Sequence, residues 1–181
     1  MVEILGKQIP NQLNELTIQQ FEDITDIHND PSLDIIEKHI KVFELLGVSE
    51  DEMVEQDVDF ETFKGYVQEF NQKTDAEIIK EVEIDGYTYK AYEEEFKLSV
   101  KDMKVIERII NSKHKGYLSE LIAVLFKRTD LSKIEHYDKA HIKHKSKIFR
   151  EEKAALAVPY LVHIGNKFSK QIENESTEVV E

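Results

Sequence analysis

Two stretches of the chain repeat one pattern about 80 residues apart. The first reads Glu3-Ile4-Leu5-Gly6-Lys7-Gln8-Ile9, then Leu16-Thr17-Ile18-Gln19-Gln20-Phe21, then Ile24. The second reads Glu83-Ile84-Asp85-Gly86-Tyr87-Thr88-Tyr89, then Leu98-Ser99-Val100-Lys101-Asp102-Met103, then Ile106. Each copy is a strand, a turn with Gly, a return strand, a spacer and a helix opened by Leu-Thr/Ser-Ile/Val. A two-residue turn between short strands dictates a hairpin, and a hairpin alone is marginal in water. The pattern therefore requires helices to cover both hairpins. The fold class read from it is mainly α with small β-hairpins (α+β), a helical bundle built from two related hairpin-and-helix units.

The helices can be placed from their caps and apolar spacing. Thr17 with Gln20 makes a capping box, so a helix is expected over 18–27. His28-Asn29-Asp30-Pro31-Ser32 is turn chemistry. A helix from Leu33 then places Leu33, Ile36, Ile40, Phe43 and Leu46 on one buried stripe, with Gly47 as its C-terminal cap. Ser49 with Glu52 is a second capping box. Phe60, Phe63, Val67 and Phe70 define another apolar stripe, read as core.

In the second copy, Asp85-Gly86 sets Ile84 opposite Tyr87 and Val82 opposite Tyr89. Ser99 caps a helix whose stripe is Val100, Met103, Ile106 and Ile110. A helix over 117–126 is apolar on more than one side and is expected at the centre. Residues 127–139 read as polar and irregular. A final helical region over 140–168 is expected to kink or divide at Pro159. Residues 170–181 read as a polar tail. The organisation expected is an acidic helical unit over 1–75, a hairpin and basic helical unit over 76–169, and the tail over 170–181.

Charge separates the two units. Residues 1–95 hold 25 Asp and Glu against 7 Lys and Arg, and residues 96–181 hold 12 against 17. The whole chain carries a net −13. Such asymmetry steers oriented association with a charged partner or a neighbouring copy. The plainer reading is a solvated acidic face that keeps the protein soluble.

Several chemistries are excluded or weakened. With no Cys among 181 residues, disulfides, thiolate metal sites and cysteine nucleophiles are ruled out. Met1-Val2-Glu3 lacks the basic and apolar regions of a signal peptide, and the apolar stretch over 154–164 is too short to span a bilayer. His136, His141 and His144 could approach a divalent metal from one helix face. Their spacing is not that of a His-Glu-x-x-His site, and Lys143, Lys145 and Lys147 would repel a cation. The acidic runs Asp51-Glu52, Asp57-Asp59-Glu61 and Glu93-Glu94-Glu95 read as exposed, with no sign of the desolvation an acid–base pair needs. No phosphate-cradling Gly loop and no nucleophile elbow occur. No catalytic, cofactor or metal residue is assigned, and the chain is read as non-enzymatic.

The basic segment 139–153 holds Lys143, Lys147 and Arg150. It suits an acidic protein surface, and alternatively nucleic-acid phosphates. The second reading is opposed by the overall negative charge and by the lack of an interleaved aromatic platform. Tyr87, Tyr89 and Tyr92 on the hairpin complete the candidate interface. Their plainer role is packing beneath it.

The strand pair ending in Ile9-Pro10, followed by Leu13-Asn14-Glu15-Leu16-Thr17-Ile18-Gln19-Gln20-Phe21-Glu22-Asp23-Ile24, resembles the opening of small proteins encoded among the virion-assembly genes of tailed bacteriophages. Leu118-Ser119-Glu120-Leu121-Ile122-Ala123-Val124-Leu125-Phe126-Lys127 is similar to the central helix of those proteins, and 154–168 to their final helix. The Pro common after that central helix is replaced here by Lys127-Arg128-Thr129. The resemblance implies a non-enzymatic tail-assembly chaperone, baseplate or neck component, or minor virion protein. Its expected partners are phage structural proteins and further copies of itself. It is expected in the virion or the host cytoplasm, with no membrane.

Overall fold

The structure is a computed structural model that describes residues 1–10, 12, 14–56, 77–91, 100–112, 114–129 and 139–165. Both hairpins form. Strands β1 (Val2–Ile4) and β2 (Lys7–Ile9) pair antiparallel with Ile4 opposite Lys7. Strands β3 (Glu81–Ile84) and β4 (Tyr87–Ala91) pair with Ile84 opposite Tyr87 and Val82 opposite Tyr89, the register expected from Asp85-Gly86. Each turn holds both central residues at positive φ, 51° and 72° at Leu5-Gly6 and 53° and 74° at Asp85-Gly86. That geometry matches the right-handed twist of the flanking strands.

Helix α1 (Ile18–Asn29) opens on the Thr17–Gln20 capping box, with both reciprocal hydrogen bonds made. Helix α2 (Ile35–Leu45) opens on a box that the sequence reading missed, with Asp34 as cap and Glu37 as its partner. Asp34 accepts from the Ile36 and Glu37 amides, which sets the helix start two residues later than expected. Gly47 ends this segment at φ +96°, a conformation that favours glycine. Helix α3 (Glu50–Glu55) opens on the Ser49–Glu52 box.

Helices α4 (Val100–Ser112) and α5 (Tyr117–Leu125) follow the second hairpin. They start 82 residues after α1 and α2 respectively, so hairpin, helix and helix recur at nearly constant spacing. The copies then diverge. Phe126–Arg128 forms a third strand, β5, on the free edge of β4, with Ala91 opposite Phe126 and Tyr89 opposite Arg128. The expectation of helix through Phe126 and irregular chain beyond is corrected here. Leaving the helix lets this segment satisfy the open edge of β4 and places Phe126, fully buried, against Tyr160 at 5.2 Å. A proline at this point would remove a backbone donor from the strand.

Helix α6 (Lys139–Arg150) is followed by α7 over residues 154–165. The division falls at 151–153, not at Pro159, which is buried within α7. The break is set by pairing. Thr17 and Lys153 form an antiparallel bridge, with Ile18 N donating to Glu152 O at 2.7 Å and Ala154 N to Leu16 O at 2.8 Å. The chain before α1 thus stitches the junction of α6 and α7.

The largest core cluster joins α4, α5, α6, α7 and the three-stranded sheet, and takes Ile18 from α1. Residues Leu121 to Phe126 are all buried in it, so α5 is central, as its apolarity on more than one side required. Ile4, Ile9, Phe43, Val48 and Met53 form a second cluster that seats the first hairpin on α2 and α3. Leu16, Ile24, Val42 and Ala154 link α1, α2 and α7.

Two stripes turn out differently from expectation. In α2 the buried residues are His39, Val42 and Phe43, and Ile36 is 54% exposed. In α4 the buried residues are Asp102, Val105, Ile106 and Ile109, and Val100, Met103 and Ile110 are exposed. Each helix carries apolar residues on two faces, and the neighbouring elements decide which one is covered. The stripe Phe60, Phe63, Val67 and Phe70, the cap Ser99, the segment over 130–138 and the tail over 170–181 lie outside the described residues. The fold is α+β and mainly helical, with two separate small antiparallel sheets.

Candidate functional site

A cavity of about 610 Å³ opens between α4, the loop before α5, and α6. Arg108, Ile109 and Ser112 come from α4, His114 and Lys115 from the loop, Glu120 from α5, and Lys143, Ser146, Lys147 and Arg150 from α6. Helical spacing explains the α6 contribution, since residues 143, 146, 147 and 150 fall at intervals of three and four on one face. The neighbouring face buries Ile142, Lys145 and Phe149. In α4, Arg108 and Ser112 lie one turn apart beside Ile109.

Five cations line the cavity against one carboxylate, Glu120, in a chain of net charge −13. Two of the cations are held by neighbours. Lys115 pairs with Asp23 of α1 at 2.7 Å, and that contact raises the lysine pKa. Arg150 donates through Nε to Ser119 Oγ at 3.3 Å. Ser119 is in turn bound by the buried carboxylate of Glu22. The Arg150 guanidinium packs over Gly116, whose φ of +90° turns the chain into α5. Arg108, Lys143 and Lys147 have no carboxylate partner among the described residues.

Polar groups complete the wall. His114 Nε2 lies 3.2 Å from Glu120 Oε1, and its Nδ1 lies 2.7 Å from Ser112 Oγ. Ser112 also donates to Ile109 O, and Ser146 to Lys143 O. These bonds fix the hydroxyls at the helix surface. The arrangement attracts anions: clustered cations beside low-dielectric protein focus positive potential, and Arg and Lys supply the donors.

The structure thus gathers Lys143, Lys147 and Arg150 at one place. It does not bring Tyr87 or Tyr89 there. Tyr89 is 3% exposed and packs edge-on to Phe149 at 5.3 Å, a core position. The buried Lys145 amine sits 5.5 Å from the Tyr89 ring and donates to Phe126 O at 2.6 Å. Tyr87 is exposed, with the Arg128 guanidinium 3.6 Å from its ring centroid. Tyr92 lies outside the described residues.

Arg108, Lys115 and the groups around them were not singled out from sequence. The segment over 111–116 reads as a loop, and only the packing of α4 and α6 on α5 shows that Arg108 and Lys115 share a cavity with Lys143 and Lys147. His136 and the carboxylates Asp57, Asp59, Glu61, Glu93, Glu94 and Glu95 lie outside the described residues, and His144 is exposed. Among the described residues no group of three or more His, Asp or Glu is placed to hold a metal ion, and no helix is long and apolar enough to cross a membrane. Compared with protein-family models, curated proteins and solved structures, the chain matches none.

Proposed function

We propose that this protein works without catalysis, by protein–protein contact during assembly of a tailed-phage particle, as a tail-assembly chaperone or a baseplate, neck or minor virion component. The observation that carries the contact reading is the convergence of Arg108, Lys115, Lys143, Lys147 and Arg150 on one surface of a strongly acidic chain. A partner bearing an acidic segment gains directional attraction there, and the remaining surface repels it. The acidic residues Glu37 and Glu44 of α2 and Glu50, Asp51 and Glu55 of α3 are exposed. A second copy could present that face to the basic one, which makes self-association part of the proposal. The phage assignment itself rests on the resemblance of 13–24, 118–127 and 154–168. Such a protein would act in the host cytoplasm or be retained in the virion.

The test is light-scattering mass at low and moderate salt, followed by capture on the tagged chain from a lysate of its native source. A discrete oligomer, or a stable complex with a virion structural protein identified by mass spectrometry, is the expected result. Its loss in Lys143→Glu/Lys147→Glu would place the contact at the basic surface. A salt-insensitive monomer that retains no virion protein overturns the reading. Retention of nucleic acid alone would favour the nucleic-acid alternative for 139–153.

A further inference from the structure

We infer that the cavity between α4 and α6 binds an organic di- or triphosphate. This goes beyond the protein-contact reading and does not depend on it. Three observations carry it: the size of the cavity, its count of uncompensated charge, and the bracing of its arginine.

The volume is about 610 Å³, inside the range of roughly 300–1,000 Å³ typical of small-molecule sites. A lone inorganic phosphate, a few water volumes of about 30 Å³ each, would leave most of it unfilled. Ile109 and the aliphatic stems of Arg108, Lys143 and Lys147 give the organic part of a larger ligand an apolar surface.

Charge then selects the anion. Arg108, Lys143 and Lys147 are uncompensated among the described residues, and Lys115 and Arg150 add further cations at the wall. A phosphate group carries about −1.5 to −2 near neutral pH. One diphosphate therefore neutralises the three free cations within a single compact group. Carboxylates bring one charge each, so an acidic peptide would have to place three of them in the same small volume. Nucleic acid is disfavoured differently, because among the described residues no Phe, Tyr or Trp lines the cavity to stack successive bases.

Arg150 is oriented before any ligand arrives. Its Nε is held by Ser119 Oγ, and Ser119 is held by Glu22. The terminal N–H groups are left to meet a phosphate in the paired geometry that guanidinium favours. An ordered donor loses less conformational entropy on binding than a free one.

The experiment is calorimetric titration of the full chain, in metal-free buffer at moderate salt, with pyrophosphate, ADP, ATP, a short oligoglutamate and a single-stranded oligonucleotide. ADP or ATP should bind once per chain, with a shifted phosphorus resonance. Lys143→Glu/Lys147→Glu should weaken that binding by at least about tenfold, the scale set by losing two charge-assisted contacts. Lys101→Glu/Lys104→Glu changes the chain charge equally on an exposed stretch of α4 outside the cavity, and should bind nearly as the parent does. If the double glutamate variant does not fold, Lys143→Gln/Lys147→Gln replaces it with the same expected direction. The inference is overturned if no phosphate probe binds the folded chain, if both charge-matched variants lose binding alike, or if oligoglutamate or the oligonucleotide binds more tightly than ATP.

Discussion

Glu22 on α1 caps a helix that begins 95 residues further along the chain. Its carboxylate accepts the backbone N–H of Ser119 at 3.0 Å and the Ser119 hydroxyl at 3.3 Å, inside the first turn of α5. Gly116 offers that helix no side-chain cap, so the carboxylate satisfies a donor that the local sequence leaves open. The same bond joins the N-terminal helix to the second unit and holds the hydroxyl that orients Arg150.

Removing this carboxylate should destabilise the whole chain. Glu22→Ala leaves a buried N–H without an acceptor, and a loss of about 1–3 kcal/mol is expected. Glu22→Gln keeps an acceptor oxygen and should cost less. Burial raises the Glu22 pKa above its usual 4.5, and the hydrogen bonds from Ser119 and Leu118 and the charge of Arg150 only partly oppose it. The folded state therefore takes up this proton more readily than the unfolded state. The ionisation cost to stability is absent below 4.5 and grows as pH rises through the folded pKa. Denaturant melts of parent and Glu22→Gln across that window should show the parent losing stability relative to the variant with rising pH. A constant difference would contradict it.

Gly116 is expected to tolerate no side chain. Its φ is +90°, and an added Cβ would meet the Arg150 guanidinium. Gly116→Ala should lower stability by about 1–2 kcal/mol from backbone strain alone. It should also displace Arg150 from Ser119, so the mutant should lose phosphate affinity even at temperatures where it remains folded. Thermal melts and the same titration measure the two effects separately.

His39 makes the fold sensitive to mild acid. It is 5% exposed on the buried face of α2. Burial, with the nearby His28, holds its pKa below the usual 6.5. The unfolded chain then binds this proton at a pH where the folded chain does not. The contribution to stability is intact above 6.5 and is lost as pH falls from there through the folded pKa. His39→Leu should flatten the stability profile over that interval, as read by thermal melts. An unchanged slope would show that other groups govern it.

Lys7 ties the first hairpin to α3. Its amine reaches Glu52 at 2.6 Å and Gly47 O at 2.7 Å. The lysine hydrogen bond, with those from Ser49, brings the Glu52 pKa down to about 2. A lowered carboxylate stabilises the fold above its usual 4.5 and loses that contribution as pH falls toward 2. Lys7→Met should raise the Glu52 pKa in an NMR titration, with only a small change in stability at neutral pH because the pair is solvent-exposed.

How much of this was legible in the sequence depends on how local each feature is. Both hairpins and the capping boxes at Thr17 and Ser49 depend on residues within four positions of one another, and all were readable. The Asp34 box carries the same kind of signal, obscured by Leu33, which extends the apolar spacing one turn too early. The site was readable only in part. Lys143, Lys147 and Arg150 share one helix face by spacing alone. Arg108 and Lys115 join them through the packing of α4 and α6 on α5, for which no short-range pattern exists.

The sequence by itself determined where chain reversals and helix starts occur, because turn dihedrals and caps are settled within a few residues. It also determined that α5 would be central, since a helix apolar on more than one side must be covered from several directions. Only the tertiary structure decided which face of α2 and α4 is buried, because both helices carry two apolar faces and neighbours choose between them. It also decided that Phe126–Arg128 leaves the helix to complete a sheet, because the open edge of β4 supplies the hydrogen bonds. The basic cavity is of the same kind: its charges are distributed over 43 positions, from 108 to 150, and only folding sets them side by side.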